Sequence, residues 1–145
     1  MIALLQRVSR ASVTVAGDCI GQIDEGLLAL IGIEKEDSVV EVQRLLQRML
    51  NYRVFADDNG KMNRSLRDIS GGLLLVPQFT LVADTDRGNR PSFSRGAEPD
   101  KGADLFNQLL TSANAEYSNV AAGRFAADMK VELVNEGPVT FWLQV

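Results

Sequence analysis

Two short segments carry the residues best suited to chemistry. The first, Gln78-Phe79-Thr80-Leu81, follows the apolar run Leu73-Leu74-Leu75-Val76 and Pro77. A polar Gln and Thr just after a buried strand stand where a sheet ends and a ligand can approach. The second is Asn135-Glu136-Gly137-Pro138-Val139-Thr140. Pro138 has no ladder donor, so it must open a strand or sit at a break. Gly137 has no Cβ, so a ligand or another backbone can come close to it. Gly-Pro is also a bond for which cis lies only about 0.5–1 kcal/mol above trans, although a lone Gly-Pro reads first as an ordinary turn. The 145 residues include no histidine. That excludes every His-activated Ser, Cys or Thr nucleophile and every His-ligated zinc site. No Gly-x-Ser-x-Gly elbow is present either, which disfavours a small-molecule serine esterase. Hydrolytic chemistry would have to come from carboxylates, Lys, Tyr, hydroxyls, backbone amides or the substrate itself. Thr80 is the obvious hydroxyl, yet an unassisted threonine is a poor nucleophile, and an internal one has no amine of its own to activate it.

Taken together, the two segments resemble the two signature motifs of the D-aminoacyl-tRNA deacylases. The resemblance extends over the whole chain, taking in Met1-Ile2-Ala3-Leu4-Leu5-Gln6-Arg7-Val8, Arg90-Pro91-Ser92-Phe93-Ser94 and Gly123-Arg124-Phe125-Ala126-Ala127-Asp128-Met129. One departure stands out. The family motif usually begins with Ser, where this chain has Pro77, which keeps a carbonyl but lacks the N–H and the hydroxyl. The resemblance implies hydrolysis of the ester between a D-amino acid and the 3′-terminal adenosine of tRNA, without a cofactor. It also implies a homodimer in which Gly137-Pro138 of one subunit reaches into the active site of the other. Arg7 would orient that segment by bonding its carbonyls, a task suited to five donors in a rigid fork. Read from the residues alone, Arg7 is equally an edge-strand side chain in solvent.

Within that frame Thr80 is expected to position the substrate, with Gln78 beside it. The backbone N–H groups of Phe79 and Thr80 would hold the oxyanion, an interaction often worth ~2.7–4 kcal/mol per donor. The substrate's own 2′-OH would assist water. Thr80 as the nucleophile is the competing assignment. Phe79, Phe125 and Met129 offer an apolar slot for the terminal adenine, although Phe125 and Met129 also read as core. D and L substrates carry the same groups, so excluding the wrong hand discriminates better than attracting the right one. A backbone wall at Gly137-Pro138, with its peptide bond expected to be cis, would do this without reading any side chain, and it would let glycine through. A non-catalytic tRNA-end-binding or interaction module is the alternative from another class. Such a module would protect an aminoacyl ester that an enzyme consumes.

These residues need elements to hold them. Val131 and Leu133 alternate with Lys130 and Glu132, and Val139, Phe141, Leu143 and Val145 alternate with Thr140, Trp142 and Gln144. Period two predicts strands on both sides of the Gly-Pro break. Strands are also expected over residues 2–8, 12–15, 19–23 and 27–33, giving two hairpins, with a further strand over 52–55. The run 27–33 is apolar enough to be covered on both faces. Ser38 with Glu41 makes a capping box, followed by an apolar face of Val39, Val42, Leu46, Met49 and Leu50. Pro99 opens a second helix with Ala103, Phe106, Leu110 and Ala113 inward. Between the Gln78 segment and this helix lies a polar loop, Ala83 to Gly96, long enough to carry function. The expected fold is α+β: a largely antiparallel or mixed, partly closed sheet with two main helices, in one domain spanning 1–145.

Composition sets outer limits. Hydrophobic residues make up 46%, enough for one packed core. No run approaches the ~20 apolar residues of a membrane span, and no signal-peptide pattern opens the chain. Cys19 is the only cysteine, so no intrachain disulfide forms and a cytoplasmic setting is expected. Asp57-Asp58-Asn59-Gly60 lacks the ligand spacing of a calcium loop, and no metal is expected. The net charge of −4 argues against gripping a long phosphate backbone, but not against holding one nucleic-acid end.

Overall fold

The alternation that begins at Ile2 does not stop at residue 8. In the computed structural model, which describes residues 1–145, Ile2–Val15 form one continuous strand, β1. The expected pair of strands is therefore a single one. The alternation slips by one place between Val8 and Ala11, where the pairing with the C-terminal strand is bulged, and Ala11 and Val13 then resume it, so the strand bends there without ending. A turn at Ala16 and Gly17, both with positive φ, returns the chain as β2 (Asp18–Ile23), and β3 (Gly26–Gly32) follows. Both pair antiparallel with the same edge of β1, β3 along residues 2–8 and β2 along 11–15. β3 is buried on both faces, as its apolar run requires.

Ser38 caps α1 (Val39–Asn51) through the expected box, its Oγ accepting from Val40 N at 3.2 Å while its own N–H donates to Glu41 at 2.9 Å. Val39 is 49% exposed, however, and Leu45 takes the inward place. Residue 39 begins the helix and lies outside the stripe that Val42, Leu45, Leu46 and Met49 make at spacings of three and four. The strand expected over 52–55 shrinks to β4 (Phe55–Ala56), paired with β5 (Met62–Arg64). A second capping box, Ser65 with Asp68, starts the four-residue helix α2 (Leu66–Ile69).

β6 (Gly72–Pro77) then runs parallel to β3. A 3-10 turn over Phe79–Val82 and the polar loop lead into α3 (Pro99–Glu116). Its core face is Gly102, Leu105, Phe106, Leu109 and Ala113, with Ala103 and Leu110 only half-buried. β7 (Val120–Ala122) lies parallel to β6, and β8 (Lys130–Gln144) runs back along the other edge of β1. The sheet is thus mixed, in the order β2-β1-β3-β6-β7 with β8 added on β1. It curls until Gly21 of β2 sits against the Ala122 carbonyl of β7, so it is nearly closed. Adjacent residues of the inner strands face opposite ways. Leu27 and Leu73 join Leu46, Leu50 and Phe106 under the helices, whereas Leu28 and Leu74 join Val8, Val13 and Ile23 inside the curl.

β8 is one strand, not two separated by a break. From Gln6↔Thr140 to Val8↔Asn135 the register slips, so Glu136-Gly137-Pro138-Val139 stand opposite Arg7 alone. The surplus backbone has to leave the sheet as a bulge. This accommodates Pro138 inside a strand, because the residue that cannot donate sits where the ladder is already interrupted.

Candidate active site

The parallel pairing of β3 with β6 ends at Ile31↔Pro77, and the Gln78 N–H still donates to the Ile31 carbonyl at 2.8 Å. That bond fixes the height at which the chain leaves the sheet. The chain turns at once into the 3-10 helix, closed by Leu81 N donating to Gln78 O and Ala83 N donating to Thr80 O, both at 3.2 Å. Phe79 and Thr80 begin this turn, so their N–H groups have no partner within it. Neither finds an acceptor elsewhere in the chain. Two adjacent backbone donors therefore stand free at a strand end. Thr80 is exposed beside them, its Oγ1 accepting a hydrogen bond from Gln78 Nε2. An amide donating to the hydroxyl oxygen draws electron density from it and leaves the hydroxyl proton free to be given away. Thr80 is thus arranged as a donor, and no group able to remove its proton is hydrogen-bonded to it.

Phe79 does not turn inward. It is 64% exposed and packs at a tilt of 56° against Phe93, with ring centroids 5.1 Å apart. Met129 packs by the same strand end, since its sulfur and Pro77 both lie against Gly123, and Met129 Sδ takes the Arg124 N–H at 3.3 Å. Phe125 faces α3. Its ring fills the space above Gly102, lies 6.5 Å from Phe106 and lines an open apolar hollow with Leu110, Val120 and Ala122.

Arg7, Gly137 and Pro138 form a second group. Arg7 Nε donates to the Glu136 carbonyl at 3.0 Å, and Nη1 donates to the Val54 carbonyl at 2.6 Å. Its guanidinium is thus a bracket between the bulge and the segment before β4. Gly137 has φ +130, a conformation side chains rarely adopt, and the Gly137-Pro138 bond is cis, as the sequence led us to expect. Both residues are exposed. No hydrogen bond within the chain links them to Gln78, Phe79 or Thr80. The register explains why. Pro77 lies in the row of Ile31 and Ala3, and the bulge lies opposite Arg7 on the far side of β1. Four residues along the strands is about 13 Å, and the bulge is three strands away from β6 at about 4.8 Å each. One chain therefore holds the two groups of residues apart.

The sequence did not reveal the Val54 carbonyl or Phe93 as partners of site residues. A backbone oxygen 47 positions from Arg7 leaves no trace in residue types. Phe93 was visible within the Arg90–Ser94 segment of the resemblance, but nothing there paired it with Phe79. No helix is long and apolar enough to cross a membrane.

Comparison with known proteins identifies the family. A family model described as D-Tyr-tRNA(Tyr) deacylase matches residues 4–144. A D-aminoacyl-tRNA deacylase of Pseudomonas putida KT2440 is 60% identical over 145 residues, with both chains covered in full. One from Escherichia coli O81 is 54% identical over the same span. Among solved structures, one named c-Myc DNA Unwinding Element Binding Protein superposes with a TM-score of 0.95 at 37% identity, covering 100% of this chain and 99% of its own. A probable eukaryotic D-amino acid tRNA deacylase superposes at 0.87 over 99% of this chain and 98% of its own, and at 16% identity it speaks for the fold alone. With the match running along nearly its whole length, this chain belongs to the D-Tyr-tRNA(Tyr) deacylase family.

Proposed function

We propose that this protein hydrolyses the ester between a D-amino acid, or glycine, and the 3′-terminal adenosine of tRNA, and that it does so as a homodimer. The observation that carries the reading is the pair of unpartnered N–H groups at Phe79 and Thr80, next to a hydroxyl poised to donate. Donors already in place where negative charge develops need no reorganisation during reaction. In this scheme water attacks the ester carbonyl carbon, and the two amides receive the developing oxyanion. The ribose 2′-OH relays a proton from the water to the departing 3′ oxygen. The C–O3′ bond breaks, releasing a free amino acid and a tRNA with its 3′-OH restored. Thr80 and Gln78 position the ester. Phe79 and Met129 lie near enough to this strand end to contact the adenosine, and Phe125 borders the hollow beyond it.

The second group supplies chirality. Gly137-Pro138, held by Arg7 and out of reach of its own Thr80, would enter the partner's site and present backbone that excludes an L side chain. Glycine has no side chain to exclude. The free edge of β8, with Val134 and Trp142 exposed beside it, offers surface on which two copies can meet. One structural relative is named for DNA binding. A net charge of −4 weighs against a grip on a long duplex here.

The test is turnover at substoichiometric protein. D-tyrosyl-tRNA and glycyl-tRNA should be consumed over many cycles, and L-tyrosyl-tRNA should survive. Protection of the D-ester would establish the binding-module alternative instead.

A further inference from the structure

The polar loop between the 3-10 turn and α3 is too well organised to be a mere connection. At its base Asp84 and Ser92 exchange backbone hydrogen bonds of 2.7 and 3.0 Å. Its far end is tied down by Lys35 N to Arg95 O at 3.1 Å and by Ala97 N to Ile33 O at 3.0 Å. Within it the Arg95 Nη2 group donates to both Asp84 and Asp86, at 3.1 and 3.2 Å. The two loop carboxylates are thereby satisfied by one arginine. Arg87 and Arg90, both exposed, are left without a hydrogen-bond or ion-pair partner. They line a wholly polar hollow of about 390 Å³ together with Asp84, Asp86 and Ser92. The loop thus keeps a surplus of positive charge in a chain that is acidic as a whole.

The position of this charge matters as much as its sign. Phe93, in the same loop, packs at a tilt against Phe79, the residue preceding Thr80. Both rings remain open to solvent, at 45% and 64% exposure. An exposed aromatic surface beside unpaired arginines is the arrangement that holds single-stranded nucleic acid, with bases on the rings and phosphates on the guanidiniums. Here it is joined directly to the segment carrying the proposed oxyanion donors.

We infer that Arg87 and Arg90 bind the phosphodiester groups just 5′ of the terminal adenosine, with the Phe79–Phe93 pair supporting a nucleotide between them and Thr80. This rests on the reading that the substrate is an aminoacylated tRNA 3′ end. It adds the contact through which the enzyme tells that end from a free aminoacyl nucleoside. Exposed arginines on a loop cost little to replace, so the variants should fold.

The experiment compares D-tyrosyl-tRNA with D-tyrosyl-adenosine, which carries the same ester and no phosphate, for the native protein and for the double variant Arg87→Gln, Arg90→Gln. The ratio of the two kcat/KM values, tRNA over adenosine, should fall about tenfold, through KM on tRNA rather than through kcat. The dependence of log KM for tRNA on log salt should become shallower by about 1.4, at ~0.7 per contact to a single strand. Arg87→Lys, Arg90→Lys should keep most of the salt dependence, because lysine retains the charge. An unchanged ratio and slope, or equal loss on both substrates, would overturn the inference. If the native protein cleaves neither ester, the catalytic reading fails by itself. Affinity for an uncharged acceptor minihelix then decides the phosphate site. Weaker binding by the glutamine variant supports it, and equal binding refutes it.

Discussion

At the scale of single residues, the hydrogen bond from Gln78 to Thr80 sets what the hydroxyl can do. A hydroxyl oxygen that accepts from an amide, with no base at its proton, orients a substrate more readily than it attacks one. Thr80→Ser is expected to retain most activity, and Thr80→Ala a measurable part, in steady-state deacylation. An acyl-enzyme trapped on Thr80 would reverse this assignment. Gly137 offers a second residue-scale test. At φ +130 an added Cβ would lie 2.9 Å from Val139 Cγ2 and 3.1 Å from Arg7 Nη2. Gly137→Ala should therefore shift the bulge and loosen the Arg7 bracket. Discrimination between D- and L-tyrosyl-tRNA should fall by about tenfold or more while the melting temperature moves little, because the site is on the surface. An unaltered D/L ratio would remove the bulge from the chiral selection.

At the scale of elements, caps and close approaches govern stability. Ser38 side-chain and backbone donors hold the Glu41 carboxyl below its ordinary range, the Ser65 N–H does the same for Asp68, and the Asn63 amide does so for Asp57. Each of these groups releases its proton more readily in the folded state than in the unfolded one. The stabilisation is therefore present above their unfolded values, near ~4, and is lost as pH falls through the lowered folded ones. Urea midpoints should be flat from neutral pH down to about 5 and decline below about 4. Asp68→Asn should blunt that decline. The pairing of β3 with β6 has a tighter requirement. A Cβ on Gly26 would fall 2.0 Å from the Gly72 carbonyl oxygen, a clash with backbone that no rotamer relieves. Gly26→Ala should cost about 3 kcal/mol or more in chemical denaturation, and a near-native midpoint would contradict the close pairing.

At the scale of the whole molecule, the proposed site would need a partner chain to complete it. The strand register keeps Gly137-Pro138 away from the Thr80 of its own chain, so a second copy is the simplest way to unite them. Sedimentation at micromolar concentration should show a species of about twice 15.8 kDa. A 15.8 kDa species with full activity at that concentration would mean that each chain is complete alone. A charge placed at an exposed β8 position, such as Trp142→Glu, should weaken the dimer and activity together.

Much of this was legible in residue types and spacing. The absence of histidine, the capping box at Ser38, the apolar runs of β3 and β6 and the period-two faces of β8 are local properties, so they survive in the sequence. So does Gly137-Pro138, because φ +130 at Gly137 favours glycine. What the sequence left open depended on pairing between distant strands. The union of residues 2–15 into one strand was decided by three partners sharing its two edges. The 3-10 turn at Phe79, which frees two N–H groups, was decided by the bond that holds Gln78 to β3. The parallel pairing of β6 with β3 and β7 was decided by the crossovers through α1 and α3. The bracket from Arg7 to the Glu136 and Val54 carbonyls, and the separation of the two groups of residues, follow from register. Register is a relation between segments, fixed by which faces the curled sheet can bury together, and no single stretch of chain encodes it.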